Sequence, residues 1–134
     1  MRLSRKGEYA CIAMLDLAER YGEDNVRTSD ICRGNSIPQK YLEQILLLLS
    51  RAGMVHSSRG RKGGHALARK PSQITIAQIV RLVDGPLAPV ESVSKYFYHH
   101  TPIEQKKGLV RLFRDIRNMV SDKLEHTTLA DLVQ

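Results

Sequence analysis

Residues 28–53 read TSDICRGNSIPQKYLEQILLLLSRAG, and this stretch decides the fold. Thr28 is a capping residue ahead of a helix of two turns through Ile31 to Gly34. Asn35 and Ser36 then make a turn with Ile37 as its apolar plug. Pro38 pre-sets φ for a longer helix that runs to Ala52 and stops at Gly53. Its inner stripe is Leu42, Ile45, Leu46 and Leu49, at the three-and-four spacing of an amphipathic helix. A short helix, a tight turn and a longer amphipathic helix make a helix-turn-helix.

Working outward, Ser4 is a plausible N-cap for a first helix to about Tyr21, with a stripe of Ala10, Ala13, Met14, Leu17, Ala18 and Tyr21. On the other side, Met54 to Ser57 and His65 to Ala68 read as two short strands. Between them lies Ser58-Arg-Gly-Arg-Lys-Gly-Gly, whose glycines permit a tight basic tip. Two strands after a helix-turn-helix, joined by such a tip, predict a winged helix in a mostly α protein. Thr75 and Gln78 form a capping box for a further helix, broken at Asp84-Gly-Pro. A poorly patterned segment follows, and from Pro102 a long helix carries Leu109, Leu112, Phe113, Ile116, Met119, Val120 and Leu124 on one stripe. A helix this long, beyond a complete winged unit, calls for a partner surface, and a second copy is the expected one. Thr127 or Thr128 caps a last short turn. The expected division is 1–85 for the winged helix-turn-helix, 86–101 for a connecting loop, and 102–134 for the dimerisation helix and C-terminal turn.

Composition agrees with a globular nucleic-acid binder. The chain has 134 residues, 42% hydrophobic and 26% charged, with a formal net charge of +7. Disorder and fibrous classes are excluded by that balance. The longest apolar run, Ile45 to Leu49, is far short of a membrane span, so no membrane partner is expected and the cytoplasm is the expected location. Residues 1–75 hold thirteen Lys/Arg against seven Asp/Glu, while 76–134 hold eight against seven. The basic excess belongs to the first half. Between His56 and Lys70 there are five Lys/Arg and no acid, which favours a polyanionic partner, double-stranded DNA first.

The longer helix of the helix-turn-helix offers Gln39, Lys40, Tyr41, Glu43 and Gln44 to bases and phosphates. Gln pairs with adenine, Glu accepts from cytosine, and Lys or Tyr reaches phosphate or guanine. At the wing, Arg59 is the expected minor-groove reader, with Arg61 and Lys62 on its rim or on phosphates. Ser4, Arg5 and Lys6 at the first helix's N-terminus are candidates for backbone phosphate. Cys11 and Cys32 read as core residues, too few for a disulfide framework. An enzyme is not expected: Gly60, Gly63 and Gly64 lack the strand-to-helix phosphate-loop pattern, and no nucleophile–base spacing stands out. Gly60-Arg-Lys-Gly63 also matches the clamp loop of KH domains, which keeps an RNA-binding protein as the alternative. Two Phe, five Tyr and no Trp leave little stacking surface for single strands.

Residues 2–10 (RLSRKGEYA), 37–46 (IPQKYLEQIL), 59–67 (RGRKGGHAL), 83–91 (VDGPLAPVE) and 127–132 (TTLADL) together resemble the Rrf-type bacterial regulators, the IscR/NsrR/CymR-like winged-helix repressors. The resemblance covers nearly the whole chain. It implies a homodimeric transcriptional regulator, by family habit a repressor, acting on a pseudo-palindromic operator. The resemblance makes 86–101 a sensor-type loop: cluster-binding members carry three cysteines in the loop before the dimer helix, at places that fall here near Ser92, His99 and Gln105. None of these is cysteine, and thiolates are the ordinary ligands of iron–sulfur clusters. No cofactor is therefore expected, and control would come from a regulatory protein, a small ligand or redox state acting on dimer geometry. The alternative is an iron or iron–sulfur centre with non-cysteine ligands, for which Glu8, His99 and His100 are the candidates, with room for a ligand from the other subunit.

Overall fold

The computed structural model describes residues 1–133. Helix α1 (Arg5–Glu19) begins at Ser4, whose hydroxyl accepts from the Gly7 N–H at 2.9 Å. It ends at Glu19, short of Tyr21. The Tyr21 N–H already bonds the Ala18 carbonyl in a tightened turn ahead of Gly22, so the tyrosine leaves the buried stripe and stands exposed. Ala10, Ala13, Met14, Leu17 and Ala18 form the inner face as read from the spacing.

Helix α2 (Thr28–Asn35) is capped from Arg27, without a side-chain cap; Thr28 is its first residue, and its hydroxyl is used elsewhere. Ser36 turns the chain at φ 54°, Ile37 plugs the core, and Pro38 opens α3 (Gln39–Arg51). Strands β1 (Val55–Ser58) and β2 (Gly64–Leu67) pair antiparallel, from Val55 opposite Leu67 to Ser58 opposite Gly64. Val26 in the α1–α2 link adds an isolated antiparallel bridge to His65. Gly64 is required at this junction. It sits at φ +142°, and a Cβ there would lie 2.7 Å from the Val26 carbonyl oxygen.

Helix α4 (Ile76–Asp84) opens on the Thr75–Gln78 capping box, both halves of which are formed. The following segment holds a single 3₁₀ turn at Glu91–Val93. The long helix does not begin at Pro102. Residues Pro102–Gln105 form a 3₁₀ turn, Lys106 is extended at φ −125°, and α5 runs Lys107–Glu125. The Glu104 carboxylate, gripped by the Tyr98 hydroxyl and the His100 imidazole, ties that first turn back to the preceding loop.

A short α6 (Leu129–Leu132) is capped by Thr128 and Asp131. It returns to the winged unit: the Ile76 N–H donates to the Thr127 carbonyl and the Leu129 N–H to the Ile74 carbonyl, each at 2.9 Å. One core takes Met14 and Leu17 from α1, Ile31 from α2, Leu42, Ile45 and Leu49 from α3, Ile79 from α4 and Leu129 from α6. Each such side chain contributes about 1.5–3 kcal/mol by leaving water. That core fixes α3 against the wing, which positions the site.

Candidate nucleic-acid interface

Burying Leu42, Ile45, Leu46 and Leu49 turns the opposite face of α3 outward, and Gln39, Lys40, Tyr41, Glu43 and Gln44 are all exposed. The Gln39 amide donates to the Glu43 carboxylate at 3.0 Å, one turn along the helix. The Tyr41 ring tilts against Tyr9 of α1, with ring centres 6.0 Å apart, which anchors it at the edge of this face.

Arg59, Arg61 and Lys62 are exposed at the wing tip. The tip's backbone is held from the α1–α2 link: the Arg27 guanidinium donates to the Arg61 carbonyl, and the Asn25 amide to the Lys62 carbonyl at 3.2 Å. A groove of about 390 Å³ runs between wing and helix-turn-helix, lined by Arg27, Thr28, Ser29, Gln39, Arg59 and His65 among others. It brings the N-terminal end of α3 and the wing's Arg59 to one opening. Arg27, Thr28, Ser29 and His65 line this groove without having been singled out by the sequence as site residues; the Arg27 guanidinium and the Thr28 hydroxyl are already engaged, with the Arg61 carbonyl and the His65 imidazole.

At the start of α1 the candidates separate. The Ser4 N–H and hydroxyl both donate to the Asp84 carboxylate, while the hydroxyl accepts from Gly7, so the polar groups of Ser4 serve the fold. Arg5 is exposed and pairs with Glu8 at 3.3 Å; Lys6 is half-buried.

The loop offers no thiolate. Ser92 is buried and bonded to the Thr101 hydroxyl, and the two cysteines lie away on α1 and α2, half-buried against the core. Burial, then the Asp84 carboxylate, push the Cys11 thiol up to about 11. Burial and then Glu43 also raise Cys32. Glu8 is engaged with Arg5, and His100 with Glu104. Among the described residues no three His, Cys, Asp or Glu converge as a metal site within one protomer. Oxygen donors are poor substitutes, and imidazole a partial one, for the soft anionic sulfur on which iron–sulfur clusters are built.

On α5, Leu109, Leu112, Ile116 and Met119 are exposed, Met119 to 74%. Phe113, Val120 and Leu124 are half-buried, and Leu124 packs onto the small cluster of Ala77, Val80 and Leu87. The stripe thus divides into a half-buried edge, from which Leu124 reaches the α4 cluster, and an outward apolar edge. Among the described residues no helix is long and apolar enough to cross a membrane.

The Rrf2 family model, described as an iron-dependent transcriptional regulator, matches residues 3–134. The HTH-type transcriptional regulator CymR of Bacillus subtilis is 35% identical over 132 residues, covering 98% of this chain and 89% of the relative. IscR of Aliivibrio salmonicida, also an HTH-type transcriptional regulator, is 36% identical over 138 residues, covering 99% and 77%. Among solved structures, CymR of B. subtilis, named there the global cysteine regulator, superposes with a TM-score of 0.80 at 34% identity, covering 98% of this chain and 95% of that one. IscR of T. potens gives 0.76 at 30% identity, covering 98% and 85%. The RNA reading finds no support in these relatives, and the Gly60–Gly63 loop joins two strands where a KH clamp joins two helices. The chain belongs to the Rrf2 family of winged-helix transcriptional regulators and is a DNA-binding regulator of the helix-turn-helix type.

Proposed function

We propose that the chain works as a homodimer on a pseudo-palindromic operator, each protomer laying α3 in a major groove and its wing in the adjoining minor groove. The observation that carries this reading is the shared groove with Gln39 at one side and Arg59 at the other. Gln39, Lys40, Glu43 and Gln44 read base edges, with Tyr41 at the margin; Arg59 enters the minor groove; Arg61, Lys62, Arg5 and Lys6 meet phosphates. The exposed edge of α5, from Leu109 to Met119, pairs with its copy and sets the distance between the two reading heads. Repression, exerted in the cytoplasm, is the mode the family resemblance favours.

Control is proposed to be cluster-free, through a regulatory protein or a small ligand that binds one dimer arrangement better than another. The donor chemistry of the 86–101 loop supports this, since it contains no cysteine. Selection of bound duplexes from a randomised library, followed by iron analysis and a visible spectrum on anaerobically purified protein, tests both parts. A colourless protein that recovers a two-fold symmetric sequence is expected. Preference for single-stranded RNA over duplex DNA contradicts the first part, and a stoichiometric iron chromophore contradicts the second.

A further inference from the structure

The imidazole of His65 joins three parts of the reading head. Its Nε2 is 2.8 Å from the Thr28 hydroxyl at the start of α2, and its Nδ1 is 2.8 Å from the Ser57 hydroxyl on β1. Its backbone closes the same joint: the His65 N–H donates to the Val26 carbonyl and the Val26 N–H to the His65 carbonyl, both at 2.8 Å. The ring is half-buried, and burial pushes its pKa below the ordinary value, which keeps it neutral. A neutral imidazole has one donor and one acceptor nitrogen, and hydroxyls can take either part, so both contacts are satisfied together.

A hairpin of two four-residue strands does not hold its own posture in water, so its direction depends on what pins it. Arg27 and Asn25 hold backbone carbonyls at the far end of the tip. The His65 ring holds the near end, linking β1 and β2 to the first residue of α2. It also lies in the wall of the groove that has Gln39 and Arg59 on its other sides. Both ring nitrogens are committed inside the protein, so the ring's contribution is to spacing.

We propose that His65 is a positioning residue for DNA recognition: bridging Thr28 and Ser57, it fixes the wing's Arg59 relative to Gln39 of α3 and thereby sets base preference where the wing reads. This rests on the proposed division between α3 and the wing, and the test keeps the two apart. On duplexes selected by the wild-type protein, affinities are measured for substitutions at the α3-contacted bases and, separately, at the wing-contacted flank. The variants are Arg59→Ala, His65→Phe and the pair Thr28→Val with Ser57→Ala, which leaves the imidazole in place and removes both its partners. Thr28 and Ser57 lie outside the main core, so the pair still reports if His65→Phe does not fold.

Both His65→Phe and the paired variant should lose about fivefold in flank discrimination and stay within about twofold at the α3 bases, with no further flank loss in an Arg59→Ala background. Equal losses at both classes of base, or losses additive with Arg59→Ala, mean general damage and overturn the proposal. Unchanged flank discrimination in the paired variant, where Arg59→Ala alone abolishes it, also overturns it while leaving the wing reading intact. Unchanged flank discrimination in Arg59→Ala itself removes the wing reading and the proposal together.

Discussion

Ser4 and Asp84 are tied together across eighty positions: the Ser4 N–H donates to one carboxylate oxygen of Asp84 at 2.8 Å, and the Ser4 hydroxyl donates to the other. The tie joins the cap of α1 to the last residue of α4, immediately ahead of the Gly85-Pro86 break into the loop. The start of α1 and the entrance to the loop therefore share one joint.

Gly7 lies beneath that joint, and a Cβ there would stand 2.4 Å from an Asp84 carboxylate oxygen. Alanine ordinarily improves a helix interior by about 1 kcal/mol over glycine. Gly7→Ala should instead destabilise the protein by about 1–3 kcal/mol, the usual cost of overpacking. In an Asp84→Ala background the cost should shrink. Urea unfolding of the four proteins measures both effects, and a stabilising Gly7→Ala in the wild-type background would contradict the packing described.

His65 gives a pH dependence of defined sign. Its folded-state pKa is lowered from the ordinary 6.5, chiefly by burial, so the unfolded chain takes up the proton first as pH falls. The stability gained from the neutral ring is fully present above about 6.5 and declines as pH falls toward the folded value, at most about 1.4 kcal/mol per pH unit. Thermal unfolding of wild type and His65→Phe between pH 5 and 8 should show a wild-type decline on the acid side that is shallower in the variant. Parallel curves would show that the ring is not desolvated.

The proposed DNA contacts separate specificity from general attraction. Glu43→Ala and Gln44→Ala should each shift base preference by about 1–3 kcal/mol. Lys62→Ala should weaken all duplexes alike and flatten the salt dependence by about 0.9 for one lost phosphate contact. Titrations of selected and random duplexes at several salt concentrations distinguish these. Equal effects of all three substitutions on both duplexes would remove the division of labour.

Cys11 should be inert. With its thiol held near 11 by burial and by Asp84, little thiolate exists at neutral pH. Mass spectrometry after brief iodoacetamide treatment at pH 8 should find Cys11 unmodified in native protein and modified in urea. Rapid native labelling would show that α1 opens.

Much of the fold is legible because local rules and the core agree. Ile37 and Pro38 announce the turn into α3, and Thr75 with Gln78 announces α4, each through chemistry within four residues. Thr28 misleads for the opposite reason: its hydroxyl has a distant partner in His65, so the nearby cap is not made. Ser4 is a true cap, yet its second partner, Asp84, is invisible to any local pattern. Pro102 marks a helical start correctly in kind, but the grip of Tyr98 and His100 on Glu104 confines it to one 3₁₀ turn. The exposed face of α3 follows from periodicity, since the buried stripe dictates its opposite. The groove joining it to the wing depends on the Val26–His65 bridge, which no spacing rule contains.

We propose that the exposed edge of α5 pairs two protomers so that their α3 helices enter the operator together. The most direct measurement is the mass of the protein–DNA complex on a selected duplex, with hydroxyl-radical footprinting of the same complex, for wild type and Met119→Glu. Met119 is exposed, so the substitution should leave the protomer folded. The wild type should bind as two protomers with two-fold symmetric protection, half-sites lying about one helical turn, ~34 Å, or a multiple of it apart. Met119→Glu should be monomeric and lose that footprint. A single wild-type protomer protecting one asymmetric site, or a Met119→Glu monomer that binds as well as wild type, would rule out recognition by an α5-paired dimer.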